Sequence, residues 1–290
     1  MTYKELLKEG VMYLQAREID EARQKAEILL FYTKNWSKTD YILHMGEEAG
    51  EDVKGTFRGF LKLSGEHVPV QHITHSAPFY GRNFYVDENV LVPRFDTEVL
   101  VHEALKEMKR CPKEEKEISV LDLCTGSGCI GVTLFSELKR AGIKARITAS
   151  DISPEALDIA EKNAKTMGAE VSFIKSDLFE ALFGEYDFIV SNPPYIKEAE
   201  IKELSAEVRN YDPHIALSGG EDGLSFYRRI VKEAPRYLKK GGRILVEIGE
   251  DEGREVSGLF SENGFDEVRI VKDMAGLDRV VSARRKEENV

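Results

Sequence analysis

Two prolines follow an apolar run in FIVSNPPYI, residues 188–196, with Asn192 before them and Tyr195 after. Pro193 and Pro194 donate no backbone hydrogen bond and hold φ near one value, so the corner they form is stiff. They also favour an extended path for the preceding residue. The Asn192 side-chain carbonyl can accept one proton of a bound NH2 group, and a backbone carbonyl within Pro193–Pro194 can accept the other. Tyr195 offers a flat face to a planar group. Such a corner suits a delocalised nitrogen. An amide lone pair is shared with its carbonyl, the resonance behind the roughly 18–20 kcal/mol rotation barrier of a peptide bond. Holding both N–H groups on carbonyl acceptors raises electron density at nitrogen as a bond to carbon forms. The proton then leaves through Asn192 or water, and no metal is needed. An exocyclic amine of adenine or cytosine poses the same problem, so the corner identifies the reacting group before the molecule that carries it.

LDLCTGSG, residues 121–128, runs from an apolar strand toward a helix starting near Gly128. Gly126 and Gly128 permit a tight turn, and the helix start offers free N–H groups to a pyrophosphate or an amino-acid carboxylate. The three-glycine dinucleotide spacing is absent. Asp122 in this loop, Asp151 after ITAS, and Asp177 with Leu178 after EVSFIK stand beyond three successive predicted strands. Three carboxylates would repel a pyrophosphate. They suit S-adenosylmethionine: Asp122 for its ammonium, Asp151 for the ribose hydroxyls, Asp177–Leu178 for the adenine edge. Each acid alone could equally cap a helix or turn, and Asp151 precedes the Ser153–Pro154 helix start.

The elements that must position these residues are legible in the hydrophobic pattern. Short apolar runs at 118–124, 145–150, 170–175, 186–191 and 243–249 alternate with helical segments, and a final pair flanks the turn-like KDMAGLD. An α/β fold follows, a mostly parallel sheet covered on both faces with an edge hairpin, whose ligands gather beyond the carboxyl ends of the strands. The first 78 residues read as a small helical bundle. Leu6, Leu7, Val11 and Leu14 form one stripe, and Ala22, Ala26, Leu29, Leu30 and Tyr32 a second. Ser37 caps a short helix, and a further helix from Glu47 to Leu63 is weakened at Gly55 and Gly59. The bundle is either plain support or a partner-recognition module. Residues 79–92, aromatic-rich around Gly81, predict a β-hairpin linker, and 93–290 form the catalytic domain. The polar stretch 111–117 reads as a solvated loop, and LSGGEDGL as a flexible turn before a helix.

Composition narrows the partners. The 290 residues carry 41 basic and 52 acidic side chains, a net charge of −11 that disfavours indiscriminate attraction to nucleic-acid phosphates. No apolar run approaches the roughly 20 residues of a membrane span. The charged start MTYKELLKEG is unlike a signal peptide. Three cysteines, Cys111, Cys124 and Cys129, point to reduced thiols in the cytoplasm. His67, His72 and His75 cluster without a recognised zinc spacing, so no metal is expected.

The stretches VLVPRFDTEVLV, LDLCTGSGCIG, SNPPYI, YDPHIALSGGEDGLSFYRRI and KDMAGLDRVV, in that order, resemble the HemK/PrmC family of release-factor glutamine methyltransferases. The resemblance implies a seven-stranded Rossmann-like S-adenosylmethionine-dependent methyltransferase domain behind a small N-terminal helical domain. It implies N5 methylation of the glutamine in the Gly-Gly-Gln motif of class I peptide-chain release factors. A cytoplasmic monomer with no direct nucleic-acid substrate is expected alongside it. Carried over by residue, Asp122, Thr125, Gly126, Ser127, Gly128, Asp151, Ile152, Asp177, Leu178 and Asn192 bind the cofactor. Asn192, Pro193, Pro194 and Tyr195 bind and activate the amide, with Arg94 and Thr97 nearby in the cleft. Glu98 caps local backbone or fixes Arg94, and His214 steadies the segment over the cleft. Cys124 departs from a usual glycine and Phe95 from a usual proline.

Overall fold

A computed structural model describes residues 1–111 and 117–287; the polar loop expected at 111–117 falls largely outside them. Helices α1 (Tyr3–Gln15), α2 (Ala22–Lys34), α3 (Lys38–His44), α4 (Glu51–Gly65) and α5 (Val70–Thr74) precede a hairpin of β1 (Ala77–Phe79) and β2 (Arg82–Phe84). Helix α6 (Thr97–Met108) leads into β3 (Ile118–Leu123), α7 (Cys129–Arg140), β4 (Ala145–Asp151), α8 (Pro154–Met167), β5 (Val171–Lys175) and β6 (Tyr186–Ser191). Short helices α9 (Ala206–Tyr211) and α10 (His214–Leu217) come before α11 (Ser225–Tyr237), β7 (Leu238–Glu247), α12 (Gly253–Glu262), β8 (Phe265–Lys272) and β9 (Asp278–Arg285). No helix among the described residues is long and apolar enough to cross a membrane.

The chain divides into two compact units, Met1–Ser76 with Ser205–Tyr211, and Ala77–Leu204 with Asp212–Val290. In the first, Leu6, Leu14, Leu29, Leu30 and Phe57 are buried in one cluster, on the helical spacing that the sequence predicts. Gly10 lets α1 approach α4, since a Cβ there would lie 2.7 Å from the Phe57 ring. Tyr32, expected in the buried stripe, is 45% exposed. Helix α4 begins at Glu51 rather than Glu47 and runs unbroken past Gly55 and Gly59, where a side chain would meet nothing. Buried Phe57 and Leu61 anchor it against a glycine cost of about 0.8–1.0 kcal/mol each. Segment 205–211, distant in sequence, belongs to this unit. Glu207 pairs with the mostly buried Lys25, and the Tyr211 hydroxyl donates to the Glu66 carbonyl at 3.1 Å.

In the second unit seven strands run in the order β5-β4-β3-β6-β7-β9-β8, parallel except where β9 meets β7 and β8. Alternate residues face opposite layers. Val120 and Val190 join the cluster of α6 and α7, while Leu121 and Ile189 join that of α11 and α12. The chain steps outward from β3 to β5 and then returns to β6 on the other side, which opens a crevice beyond the ends of β3 and β6. Strand β7 starts at Leu238, ahead of the expected Arg243. At the hairpin, Tyr80 and Gly81 both take positive φ, 48° and 73°, as a two-residue primed turn requires. Phe79 and Phe84 are buried with Leu100 of α6, so the hairpin is part of the second unit's core and not a separate linker.

Asn163 of α8 ties this frame to the loop after β3. Its Oδ1 accepts the Tyr85 N–H at 2.7 Å, while Nδ2 donates to the carbonyls of Tyr85 at 3.0 Å and Ser127 at 2.9 Å. Replacing it by leucine strands these groups. At about 1–3 kcal/mol for each buried orphan, eased by relaxation, Asn163→Leu should lower the unfolding free energy by roughly 3 kcal/mol in a urea titration. A loss within experimental error would show that the tie is dispensable.

Candidate functional site

After β3 the backbone enters the left-handed region at Cys124, with φ 61°, and again at Gly126 and Gly128, with φ 53° and 79°. A Cβ at Gly128 would press on Ala160 of α8 at 3.0 Å, so this glycine packs against a helix and stands back from the cavity. Gly126, Thr125 and Ser127 wall the cavity, and Gly126 has open space where a side chain would be. Cys124 lines it too. A residue with a Cβ costs about 1–2 kcal/mol at such a φ. Burial pushes the Cys124 thiol up, so it packs as a neutral side chain and is no nucleophile.

Asp122 is not where the sequence reading put it. It lies within β3, fully buried, and its Oδ2 accepts from the Thr125 hydroxyl at 2.6 Å and the Gly131 N–H at 2.8 Å. It does not wall the cavity but braces the glycine loop from beneath, and burial raises its pKa to about 7.

Asp151, at the end of β4, accepts the Gly126 N–H on Oδ2 at 2.9 Å and the Ser153 N–H on Oδ1 at 3.0 Å. Burial outweighs these bonds and holds its carboxyl above the ordinary range. Asp151, Ile152, Asp177 and Leu178 all line the cavity, and Asp177 accepts from the Arg229 guanidinium at 2.8 Å. Ser150 lines it as well, with a buried hydroxyl that lacks a partner. Acceptors beside an apolar wall that includes Phe226 fit a ligand with hydroxyls, a cation and a planar ring. S-adenosylmethionine presents all three.

Asn192 follows β6 directly and lines the same cavity. Its Nδ2 donates to the Thr97 hydroxyl at 3.2 Å. The Asn192 Oδ1 is thus the prong left for a ligand. Thr97, Arg94 and Pro194 also line the cavity, whereas Pro193 is buried and Tyr195 half-buried behind it. Tyr195 is not among the residues that line the cavity. Its ring packs against the core on the α11 side, its hydroxyl is 3.4 Å from Glu247 Oε1, and its backbone is enclosed. A Cβ on Gly219 would lie 2.7 Å from the Tyr195 Cα, and one on Gly223 would lie 2.6 Å from the Tyr195 carbonyl oxygen. The Ile196 N–H donates to Leu217 at 3.0 Å and the Gly219 N–H to Ile196 at 2.8 Å. LSGGEDGL is therefore a close-fitted backing for the corner rather than a flexible turn.

Other positions settle differently from expectation. Glu98 neither fixes Arg94 nor caps its own helix; it accepts the Tyr80 N–H at 2.7 Å. Arg94 pairs with buried Asp212 at 2.6 Å. Phe95 is 71% exposed. His214 meets Glu198 at 3.0 Å and tethers α10, whose Ile215 and Ala216 line the cavity. Among the described residues no group of three His, Cys, Asp or Glu is placed to hold a metal ion. Sequence reasoning missed Glu247, Asp212, Phe226 and Arg229. Glu247 closes an apolar run at the carboxyl end of a strand, the same signal that marks Asp151.

Comparison with known proteins follows the two units. Residues 5–74 match the PrmC N-terminal domain and residues 97–209 the methyltransferase small domain. A release factor glutamine methyltransferase of Geobacter sulfurreducens is 38% identical over 273 residues, covering 94% of this chain and 93% of that protein. One of Bacillus anthracis is 38% identical over 287 residues, covering 98% and 99%. In fold, the hMettl16 catalytic domain, solved in complex with an RNA hairpin, aligns with a TM-score of 0.56 at 14% identity, over 73% of this chain and 78% of that one.

Gly219→Ala forces either the corner or its backing to shift. Overpacking of this kind costs about 1–3 kcal/mol, so thermal unfolding should show a clearly lower midpoint. An unchanged midpoint would mean that the two segments separate freely.

Proposed function

This chain belongs to the release factor glutamine methyltransferase family, and we propose that it methylates the side-chain amide nitrogen, N5, of the glutamine in the Gly-Gly-Gln motif of class I peptide-chain release factors. S-adenosylmethionine, when bound, supplies an electrophilic methyl group on sulfur. The observation that supports the reading is the Asn192 amide, tied through Nδ2 to Thr97 and lining a cavity shared with Asp151 and Asp177.

In this reading the chain's own residues divide the work. Asp151 orients ribose hydroxyls, Asp177 with Leu178 the adenine edge, and Thr125, Gly126 and Ser127 the methionine part. Asp122 and Gly128 keep that loop in shape, and Ile152 and Phe226 exclude water. Asn192 Oδ1 accepts one N–H of the glutamine amide, and a carbonyl of the Pro193–Pro194 segment accepts the other. Two acceptors on one nitrogen draw both protons away from the lone pair and raise its electron density. Tyr195 supports the corner from behind. Arg94, held by Asp212, and Thr97 border the glutamine.

The substrate is a protein and not a nucleic acid, a choice supported by the net charge of −11. The helical unit meets the release factor; exposed Ile42 and Leu43, at 57% and 71%, offer an apolar contact. The enzyme works as a monomer in the cytoplasm, which suits its three free thiols.

Labelled methyl transfer to a folded class I release factor tests the reading. Label should appear and should vanish when the motif glutamine is changed to alanine; label on duplex DNA with none on the factor would overturn it. Asn192→Ala should lower kcat by about 10²–10³-fold, by analogy with loss of one oxyanion-hole donor, while cofactor affinity stays near wild type. Asp151→Ala should weaken cofactor binding first, as read by calorimetry.

A further inference from the structure

Two adjacent arginines of α11 have different partners. Arg228 does not line the cavity and donates to exposed Asp222 at 3.0 Å. Arg229 stands on the cavity wall and donates to Asp177 Oδ1 at 2.8 Å. Phe226 lines the same cavity, three residues earlier and therefore on the same helix face. Both ends of the Arg229–Asp177 pair are held. Helix α11 is anchored by buried Tyr227, Ile230 and Val231, and the Tyr227 hydroxyl donates to the Glu247 carbonyl at 2.9 Å. The turn that carries Asp177 is fixed by the Ser176 hydroxyl, which donates to the Leu178 carbonyl at 2.7 Å and accepts the Ala181 N–H at 3.0 Å.

We propose that Arg229 is a positioning residue which, acting through Asp177, makes this end of the cavity selective for a 6-aminopurine. The inference rests on the cofactor reading above and adds the group that sets the polarity of its base-binding wall. A guanidinium offers only donors and an ionised carboxylate only acceptors. With Oδ1 engaged by Arg229, the Asp177 carboxylate is held in one orientation and Oδ2 is left to a ligand. An exocyclic amino group can donate to that oxygen. A 6-oxo group would set oxygen against oxygen. The same bond keeps the guanidinium beside Asp177 and away from a ligand carbonyl, to which a freed arginine can donate. It also balances the carboxylate charge next to a neutral base.

A plain staple between α11 and the loop after β5 would act alike on every ligand of the cavity. Selection through Asp177 distinguishes one base from another, and that difference separates the two roles. The side chains of Arg229 and Asp177 are 40% and 34% exposed, so neither replacement opens the core.

The test is calorimetric binding of S-adenosylhomocysteine and of its 6-oxo analogue, S-inosylhomocysteine, to wild type, Arg229→Met, Asp177→Ala and the double variant. No turnover is needed. Wild type should favour the amino form by about a hundredfold or more, because the oxo form leaves the waiting carboxylate without a donor. Arg229→Met should bind S-adenosylhomocysteine about three- to tenfold more weakly, the worth of one net hydrogen bond, with a smaller change for the oxo form. The preference should therefore shrink. In Asp177→Ala it should shrink further. Adding Arg229→Met to Asp177→Ala should leave S-adenosylhomocysteine affinity where it was, since the route through Asp177 is already cut. The oxo form should then bind more weakly, having lost the freed guanidinium. Equal affinity of wild type for the two forms, an undiminished preference in Arg229→Met, or a further loss of S-adenosylhomocysteine binding in the double variant would overturn the role. If wild type binds no S-adenosylhomocysteine, the cofactor reading itself fails and this inference falls with it.

Discussion

The hydrogen bond from Asn192 to Thr97 decides which end of one side-chain amide faces the cavity, and the surrounding elements serve to make that bond unavoidable. Strand β6 delivers Asn192 at its carboxyl end, and the first turn of α6 delivers Thr97 from far earlier in the chain. The prolines after Asn192 remove backbone freedom. Gly219 and Gly223 then press so close to Tyr195 that a methyl group would not fit between them. A loop alone would let the amide turn. Here it is clamped by a strand before it, a helix beside it and a backing segment behind it.

The cofactor end of the crevice is built on a different principle. There the backbone itself is bent into unusual conformations and held by carboxylates. Asp122 grips the loop from below through Thr125 and Gly131, and Asp151 grips Gly126 from the side. Cys124 occupies a left-handed position that favours glycine. The loop therefore carries local strain, which the hydrogen bonds to these acids and to Asn163 offset. Two carboxylates with related roles are also distinguished: Asp122 is sealed under the loop, whereas Asp151 keeps its place on the cavity wall.

Much of this was legible in the chain. The seven strands and their parallel core followed from apolar runs broken by helical periodicity, and the turn at Tyr80–Gly81 from its glycine. The corner at Asn192 followed from the chemistry of its residue types. Less visible were relations that depend on which distant residues meet. Nothing local says that Glu98 will seek the Tyr80 N–H, or that Arg94 will find Asp212 over a hundred positions away. Asp122 reads as a ligand of the cofactor loop although the run 118–124 already contains it, because its depth beneath that loop is set by the neighbouring strands β4 and β6. The helix through Gly55 and Gly59 was underestimated because buried Phe57 and Leu61 outweigh local propensity.

The central claim concerns the direction in which Asn192 points its carbonyl, and it is tested most directly by a crystal structure of the protein with S-adenosylhomocysteine and a release factor. The glutamine amide nitrogen should lie within hydrogen-bonding distance of Asn192 Oδ1, with Nδ2 still on Thr97. A glutamine bound with its carbonyl against Asn192, or with its nitrogen turned to solvent, would contradict the claim.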